Sequence, residues 1–248
     1  MNRIVIVGAT SRIAECCARR WASRGAKLCL IARDHDRLNR VRADLSVRAG
    51  GADGIGALPF DALECGRYTE LVRAAHDFLG GIDIVLIAHG DMLPQSECEQ
   101  NLDLLRTSLA VNGTSAVMLA EAFAMQMAPT GRGVISIIGS VAGDRGRRSN
   151  YVYGAAKALV ARYLEGMRHR LAPHGLQIVV IKPGPTATPM TATYAQPGVR
   201  LADPEQVAAT IVDGIDRGRT TIYAPGIWRW IMLVIRHIPE RIFLKLSL

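Results

Sequence analysis

The sequence predicts an α/β fold in which a doubly wound parallel sheet of about seven strands carries helices on both faces. Short apolar runs alternate with longer stretches of helical periodicity, and the connections between them are short. Several runs are continuously apolar, as at residues 82–88, which is typical of strands covered on both faces. The predicted strands are residues 3–7, 27–32, 56–60, 82–88, 133–138, 177–181 and 220–223.

A predicted helix lies between every two consecutive predicted strands, which is the order that winds helices around a parallel sheet. No low-complexity linker or internal repeat divides the 248 residues. The sequence therefore predicts one domain over residues 1–225 and a tail of different composition over 226–248. The predicted helices are residues 13–24, 37–49, 68–79, 99–127, 152–172 and 204–217.

The chain is basic, with 30 Lys and Arg against 22 Asp and Glu and a formal net charge of +8. Such an excess could serve cofactor phosphates, an anionic membrane surface or nucleic acid. No basic run is interleaved with aromatic residues, so we expect no nucleic-acid partner. The five cysteines show neither CxxC nor zinc-finger spacing, so we expect free thiols in a cytoplasmic protein without a metal site.

The tail contains the apolar segment 227–238, which includes two tryptophans and is interrupted by arginines. A membrane-spanning helix needs roughly 20 apolar residues, so this segment is too short to cross a bilayer. A helix lying at the inner membrane surface is one interpretation. Packing against its own domain or against a partner subunit is the other.

The first strand leads into a turn and a helix, an arrangement that directs backbone N–H groups and the positive end of the helix dipole toward an anion. Gly8 permits the tight turn, and Thr10, Ser11, Arg12 and Ile13 follow it. Only one of the three glycines of the dinucleotide fingerprint is present. Alone, the turn is therefore an ambiguous sign of a nucleotide site.

The second predicted strand ends at Arg33 and Asp34. An acid at this place in dinucleotide-binding folds binds the ribose 2′-hydroxyl, whereas an arginine suits a 2′-phosphate. Asp34 serves equally well as the cap of the next helix. We therefore expect NADPH to be preferred over NADH, with Arg12 as a second contact for the phosphate.

A later constellation is more specific. Ser140 follows an apolar strand, and Tyr153 and Lys157 lie four residues apart, on one face of a predicted helix. This set resembles the Ser-Tyr-Lys set of the classical short-chain dehydrogenase/reductase family. The resemblance extends from residue 3 to about residue 223 and implies a Rossmann-type NAD(P)-binding domain that moves a hydride between nicotinamide and a ketone or alcohol.

The resemblance also implies roles for other positions. Asn112 matches a helix asparagine of a proton relay, and Asp61 matches an acid near the adenine ring. One segment departs from the family pattern, since IAHG replaces NNAG after the fourth strand. Another segment agrees with it, since PGPTAT matches PG-x-x-x-T at the nicotinamide end. The implied cofactor contacts in these two segments are Ala88, Gly90, Pro183, Gly184, Thr186 and Thr188.

Reduction of a carbonyl needs a proton, and a phenol with an ordinary pKa near 10 is poorly matched to neutral pH. We expect the ammonium of Lys157 to lower the pKa of Tyr153, so that Tyr153 exchanges the proton with the substrate. The family resemblance further implies that Lys157 holds the nicotinamide ribose and that Ser140 hydrogen-bonds the substrate oxygen. His89 is expected to pack at the end of its strand.

A narrower resemblance concerns decaprenylphosphoryl-2-keto-ribose reductases, and rests on the GATS turn, the SVAGDRGR loop and the Trp-rich basic tail. It implies a keto-sugar on a polyprenyl phosphate as substrate. A 3-oxoacyl or hydroxysteroid-type dehydrogenase, and a cofactor-binding scaffold without turnover, are the alternatives. Arg145, Arg147 and Arg148 belong either to a solvated loop or to a contact with a substrate phosphate.

The sequence also predicts a lid and an assembly of subunits. Residues 190–199 occupy a place where a mobile substrate lid would fit. The predicted helices 99–127 and 152–172 could pair between subunits, as in many members of the resembling family, so we expect a homo-oligomer.

Overall fold

The computed structural model describes residues 2–49, 51, 53–192 and 200–246. Its seven strands form one sheet in the order β3-β2-β1-β4-β5-β6-β7, with parallel pairing throughout. The predicted seven-stranded, doubly wound sheet is thereby confirmed. The strands are β1 (Arg3–Val7), β2 (Lys27–Ala32), β3 (Ile55–Pro59), β4 (Ile84–Ile87), β5 (Gly133–Ile138), β6 (Leu176–Pro183) and β7 (Thr221–Ala224).

Helices cover both faces of the sheet, which is why the strands are apolar on both sides. Ile4 and Ile6 of β1 pack with α1, α2 and α9 on one face, and Val5 and Val7 pack with α3, α6 and α7 on the other. Alternate residues of a strand point to opposite faces, so neither set could be polar. The helices are α1 (Arg12–Ala22), α2 (His35–Arg48), α3 (Tyr68–Leu79), α4 (Gln95–Gln100), α5 (Leu102–Leu109), α6 (Ser115–Met127), α7 (Tyr151–Leu171), α8 (Pro189–Ala192), α9 (Pro204–Asp216), α10 (Trp228–His237) and α11 (Glu240–Phe243).

The predicted continuous helix 99–127 is wrong, because the structure breaks it at Asn101. This residue has an extended backbone, and its Oδ1 accepts hydrogen bonds from the Asp103 and Leu104 backbone N–H groups. An asparagine that caps a helix start competes with continuation of the helix before it. A π-helical turn at Ala110–Thr114 then separates α5 from α6.

One apolar helical stretch needs a separate explanation. Within the described residues, Leu102–Thr130 is long and apolar enough to cross a bilayer by composition, yet 56% of its most apolar window is buried inside the fold. Phe123 and Leu119 of this stretch are fully buried in the core beneath the sheet. Packing against the sheet therefore accounts for its composition.

The point where the strand order reverses lies between β1 and β4. In open α/β sheets, ligands bind at the carboxyl ends of the strands beside such a point. The turn after β1, the segment after β4 and the loop after β5 all meet there.

Candidate active site

The turn after β1 is shaped by Gly8, whose φ of +77° lies in the left-handed region. A Cβ at this position would lie 2.4 Å from the backbone nitrogen of His89. Gly8 and Ala9 both donate their N–H groups to the Ile31 carbonyl, at 2.8 and 3.0 Å. Glycine is thus required both by the backbone conformation and by the close approach of the segment after β4.

The start of α1 fits the pyrophosphate of a dinucleotide. Ser11 is the N-cap residue, but its side chain makes no capping hydrogen bond, so N–H groups of the first turn remain available to an anion. Thr10, Arg12 and Ile13 adjoin this end of the helix. The Arg12 guanidinium lies 3.4 Å from Glu15, so it is turned along the helix toward a carboxylate.

At the end of β2, Arg33 and Asp34 differ in the partners that they contact. Asp34 caps α2, since its Oδ1 accepts a hydrogen bond of 2.9 Å from the Arg37 N–H. Arg33 is exposed, and its guanidinium has no carboxylate partner among the described residues. Asp61, after β3, is partly buried and accepts a 2.9 Å hydrogen bond from the Leu63 N–H.

Ser140, Tyr153 and Lys157 meet at the carboxyl end of the sheet. Ser140 caps the short 3-10 helix that follows β5, where its Oγ accepts a 3.0 Å hydrogen bond from the Ala142 N–H. The same hydroxyl faces the Tyr153 phenol. Lys157, one turn further along α7, donates from Nζ to the Ile138 carbonyl at 3.1 Å and lies 5.6 Å from the centre of the Tyr153 ring. The helix and the strand end therefore hold the three side chains in one crevice.

The electrostatics of these groups differ from the expectation. Burial raises the pKa of the Tyr153 phenol to about 12, although the Ser140 hydroxyl acts in the opposite direction. Burial also lowers the pKa of the Lys157 ammonium to about 8, although the Asp91 carboxylate opposes that fall. In the protein without cofactor the pKa of Tyr153 is thus raised and not lowered as expected, because desolvation of the phenolate outweighs the hydrogen bond with Ser140, and the Asp91 carboxylate adds to the rise.

Asn112 lies in the π-helical turn and is fully buried. Its Nδ2 donates to the Ser108 carbonyl at 3.0 Å and to the Asp91 carboxylate at 3.1 Å, while its Oδ1 accepts from the Asp91 N–H at 3.0 Å. A Cβ on Gly90 would lie 2.8 Å from this Oδ1 and 3.5 Å from Lys157 Nζ. The π-helical turn therefore places the asparagine amide beside the ammonium. Asp91 did not emerge from sequence reasoning, although its position just after IAHG could have suggested it.

The segment after β4 contains His89, which is partly buried. His89 Nε2 lies 2.8 Å from Ser115 Oγ, and burial lowers the pKa of His89 to about 3. Its imidazole is therefore neutral, which agrees with the expected packing role. The neighbouring Ala88 is buried at the end of the strand.

The segment after β6 carries the predicted nicotinamide contacts. Pro183 ends the strand, and the Gly184 N–H donates to the Ala224 carbonyl at 3.0 Å. Thr186 is buried and donates to the Gly184 carbonyl at 2.9 Å, and Thr188 contacts Thr191 Oγ1 at 3.2 Å. Of the expected lid, residues 193–199 lie outside the described residues, while α8 begins directly after Thr188.

The tail packs over the same end of the sheet. A Cβ on Gly184 would lie 1.9 Å from Trp228 Nε1, so the indole of α10 rests directly on this glycine. Met232 of α10 is fully buried. This inner face of the tail therefore packs on its own domain, which is one of the two interpretations of the tail.

The loop after Ser140 holds the tail in place. Arg145 donates to the Ile235 and Ile238 carbonyls at the end of α10, at 2.6 and 2.7 Å, and stacks 3.8 Å from the centre of the Phe243 ring. Arg147 lies 3.6 Å from the sulfur of Met232. A solvated loop and a substrate-phosphate contact are therefore both wrong for Arg145, because helix carbonyls and an aromatic ring occupy its guanidinium. Arg147 is partly buried, so a solvated loop does not describe it either. Arg148 alone is exposed.

A buried ion pair connects this loop to the sheet. Asp144 is 3% exposed and lies 2.5 Å from Lys182 of β6, and the Tyr223 hydroxyl of β7 donates to it at 2.8 Å. Sequence reasoning gave none of the three residues a role, since they are far apart in the chain, and Asp144 entered it only as a member of the SVAGDRGR loop. Together they fix the loop that presents Ser140.

A comparison with known protein families identifies the family to which this chain belongs. Residues 2–197 match the family model described as short chain dehydrogenase. The chain belongs to the short-chain dehydrogenase family. An oxidoreductase of Streptomyces coelicolor is 32% identical over 98% of this chain and 95% of its own length. One of Mycobacterium tuberculosis is 30% identical over 98% and 96%.

Solved structures agree on the fold. A short-chain dehydrogenase from Sphingobium yanoikuyae in complex with NADPH superposes with a TM-score of 0.79, at 25% identity over 97% of each chain. A variant of actinorhodin polyketide ketoreductase, also with NADPH, gives 0.80 at 22% identity over 90% of this chain and 95% of its own. The protein is thus an NAD(P)-dependent oxidoreductase of the short-chain dehydrogenase type.

Proposed function

We propose that this short-chain dehydrogenase works as an NADPH-preferring ketone reductase. The observation that carries the proposal is the convergence of Ser140, Tyr153 and Lys157 at the carboxyl end of the sheet, beside an uncapped helix start. When bound there, a reduced nicotinamide would supply the hydride. The residues of the chain supply orientation and the proton.

The proton chemistry favours reduction. With a pKa near 12, Tyr153 keeps its proton at neutral pH, so it is ready to donate to a carbonyl oxygen that gains negative charge. Ser140 donates a hydrogen bond to the same oxygen and fixes its position. Lys157, mostly protonated at neutral pH, stabilises the phenolate that remains after donation. Asn112, whose Oδ1 lies beside Gly90 as Lys157 Nζ does, would order a water that returns the proton.

The assignment of Tyr153 is tested by Tyr153→Phe. This change removes the donated proton and keeps the ring, so turnover should fall about 10²- to 10⁴-fold. NADPH affinity should stay within about twofold, because the phenol contributes little to nucleotide binding compared with the rest of the pocket. Tyr151→Phe is the matched control, since Tyr151 is 44% exposed at the start of the same helix. Full activity in Tyr153→Phe would refute the assignment.

The preference for NADPH rests on Arg33. Its guanidinium is exposed and free of a carboxylate partner among the described residues, whereas Asp34 is engaged as a helix cap. A charge-assisted contact to a 2′-phosphate contributes about 1.5–3 kcal/mol, so Arg33→Ser should weaken NADPH about 10- to 100-fold and leave NADH nearly unchanged. Arg162→Ser, at a surface 84% exposed, serves as the control in calorimetric titrations. Tighter binding of NADH than of NADPH by the unaltered protein would overturn the preference.

For the substrate, we propose a keto-sugar carried on a polyprenyl phosphate. The apolar and basic tail that borders the PG segment supports an amphipathic substrate, with Trp228 against Gly184. The measurement is NADPH oxidation with such a keto-sugar, compared with 3-oxoacyl and steroid ketones of similar size. A kcat/KM that is at least tenfold higher for either of the other ketones would reject the proposal.

We also propose assembly into a homo-oligomer through α6 and α7. Met118, Met125 and Leu159 on these helices are 41%, 74% and 42% exposed, an unusual amount of apolar surface for neighbouring helices. Sedimentation equilibrium of Met125→Asp against the unaltered chain would test this contact.

A further inference from the structure

The outer face of the tail has no partner within the described residues. On α10, Trp230 and Val234 are 60% and 65% exposed, one helical turn apart on the side opposite the buried Met232. The face continues beyond α10 with Ile242 and Leu244, which are 54% and 77% exposed. Exposed apolar patches of this kind mark contact sites.

A basic groove borders this face. It has a volume of about 860 Å³ and lies between β7, the edge strand of the sheet, and α10. Its lining includes Arg219, Arg229 and Arg236, together with Trp230 and Leu233, and contains no acidic residue. None of the three guanidinium groups has a carboxylate partner among the described residues. The groove is therefore suited to an anionic ligand.

Charge decides between two occupants of the combined surface. A second copy of the chain would place the same patch against itself across a two-fold axis, so the three arginines would face their own equivalents. An anionic bilayer would instead receive the arginines at its phosphate groups and the tryptophan at its apolar boundary. In residues 226–246, Glu240 is the single acidic residue, against Arg229, Arg236, Arg241 and Lys245.

We propose that the outer face of α10 and α11, with the groove lined by Arg219, Arg229 and Arg236, docks the protein on the surface of an anionic membrane. A helix of ten residues is about 15 Å long, so α10 lies along the bilayer surface and does not cross it. The inner face of the same helix rests on Gly184 and is held by Arg145. Docking would therefore bring the mouth of the active site close to the membrane. The proposal concerns binding alone, and does not depend on the identity of the substrate.

The test is co-sedimentation of the full chain with vesicles of phosphatidylcholine alone or with 30% phosphatidylglycerol. We expect binding to the anionic vesicles, at least tenfold weaker binding to the neutral ones, and a loss of binding in high salt. Each arginine near the surface contributes about fivefold, so Arg229→Gln/Arg236→Gln should weaken binding about 25-fold. The matched control is Arg106→Gln/Arg162→Gln, which removes the same charge from sites 79% and 84% exposed on other helices.

Three outcomes would overturn the proposal. One is equal binding to neutral and anionic vesicles, and another is an equal loss of binding in the control pair. The third is evidence that a second copy of the chain covers this face. In that case Trp230→Ser would turn an oligomer into a monomer in sedimentation velocity and leave vesicle binding unchanged. Circular dichroism and NADPH titration of each variant show that the fold is retained. Failure of the membrane proposal leaves the activity of Tyr153 untouched, so the two proposals are tested separately.

Discussion

Lys157 holds a positive charge inside the protein, and removing that charge should stabilise the fold while it abolishes turnover. The side chain is 3% exposed and donates to the Ile138 carbonyl at 3.1 Å. A fall of its pKa from 10.5 to about 8 corresponds to about 3 kcal/mol spent on keeping the ammonium buried at neutral pH. Lys157→Met removes this cost but loses a hydrogen bond of about 1 kcal/mol. We therefore expect the variant to be about 2 kcal/mol more stable at pH 7.

The pH dependence has a definite sign. Below pH 8 the lysine is protonated in both the folded and the unfolded chain, so the cost is constant. Between pH 8 and 10.5 the unfolded chain binds more protons, so the stability of the unaltered protein rises with pH by about 3 kcal/mol relative to the variant. By pH 10.5 the variant should be the less stable of the two, by about 1 kcal/mol.

Urea unfolding of the cofactor-free protein at pH 7 and pH 10 measures this difference. Lys27→Met is the control, since Lys27 is an exposed lysine at the start of β2 and should show neither effect. Ionisation of the buried thiols in alkali affects all three proteins alike and cancels in the comparison. A Lys157→Met variant that unfolds at lower urea than the unaltered chain at pH 7 would refute the argument.

Other predictions concern the turn after β1 and the tail. Gly8→Ala places a Cβ 2.4 Å from the His89 backbone, whereas Gly80→Ala, at a similar φ of +73°, meets nothing within 4 Å. Gly80→Ala should therefore cost only about 1 kcal/mol in thermal unfolding, and Gly8→Ala several times more; equal costs would contradict the clash. Arg145→Ala removes two charge-assisted hydrogen bonds to the end of α10, each of about 1.5 kcal/mol or more, so tryptic cleavage in the tail should accelerate at least about 100-fold, as followed by mass spectrometry. Arg148→Ala, in the same loop but exposed, should leave the cleavage rate unchanged, and equal rates in the two variants would show that Arg145 does not hold the tail.

Local patterns in the sequence predicted the fold because they are consequences of backbone geometry. Continuously apolar runs such as the one around Val85 and Leu86 belong to strands with two covered faces, and the structure buries both residues completely. The alternation of strands and helices then restricts the topology to a doubly wound sheet. Where the strand ends differ from the prediction, as at β3 and β4, they differ by only one or two residues.

The sequence pattern did not show where side chains compete with the backbone for hydrogen bonds. The helical pattern of residues 99–127 hides the Asn101 cap, because helical segments lie directly on both sides of it. The sequence pattern does not predict the π-helical turn at Asn112 either, since this turn depends on how the helix meets Asp91 and α7.

What the sequence determined by itself was the sheet, the Tyr153–Lys157 pair on one helical turn and the tight turn between β1 and α1, since each depends on neighbours in the chain. Only the tertiary structure decided the pKa of Tyr153, the Asp144–Lys182–Tyr223 contacts and the seat of the tail on Arg145. Hydrogen bonds and ion pairs join residues that are far apart in the chain, by 93 positions between Arg145 and Ile238 and by 192 between Arg24 and Asp216. Desolvation at such contacts depends on everything packed around them, and no local pattern records it.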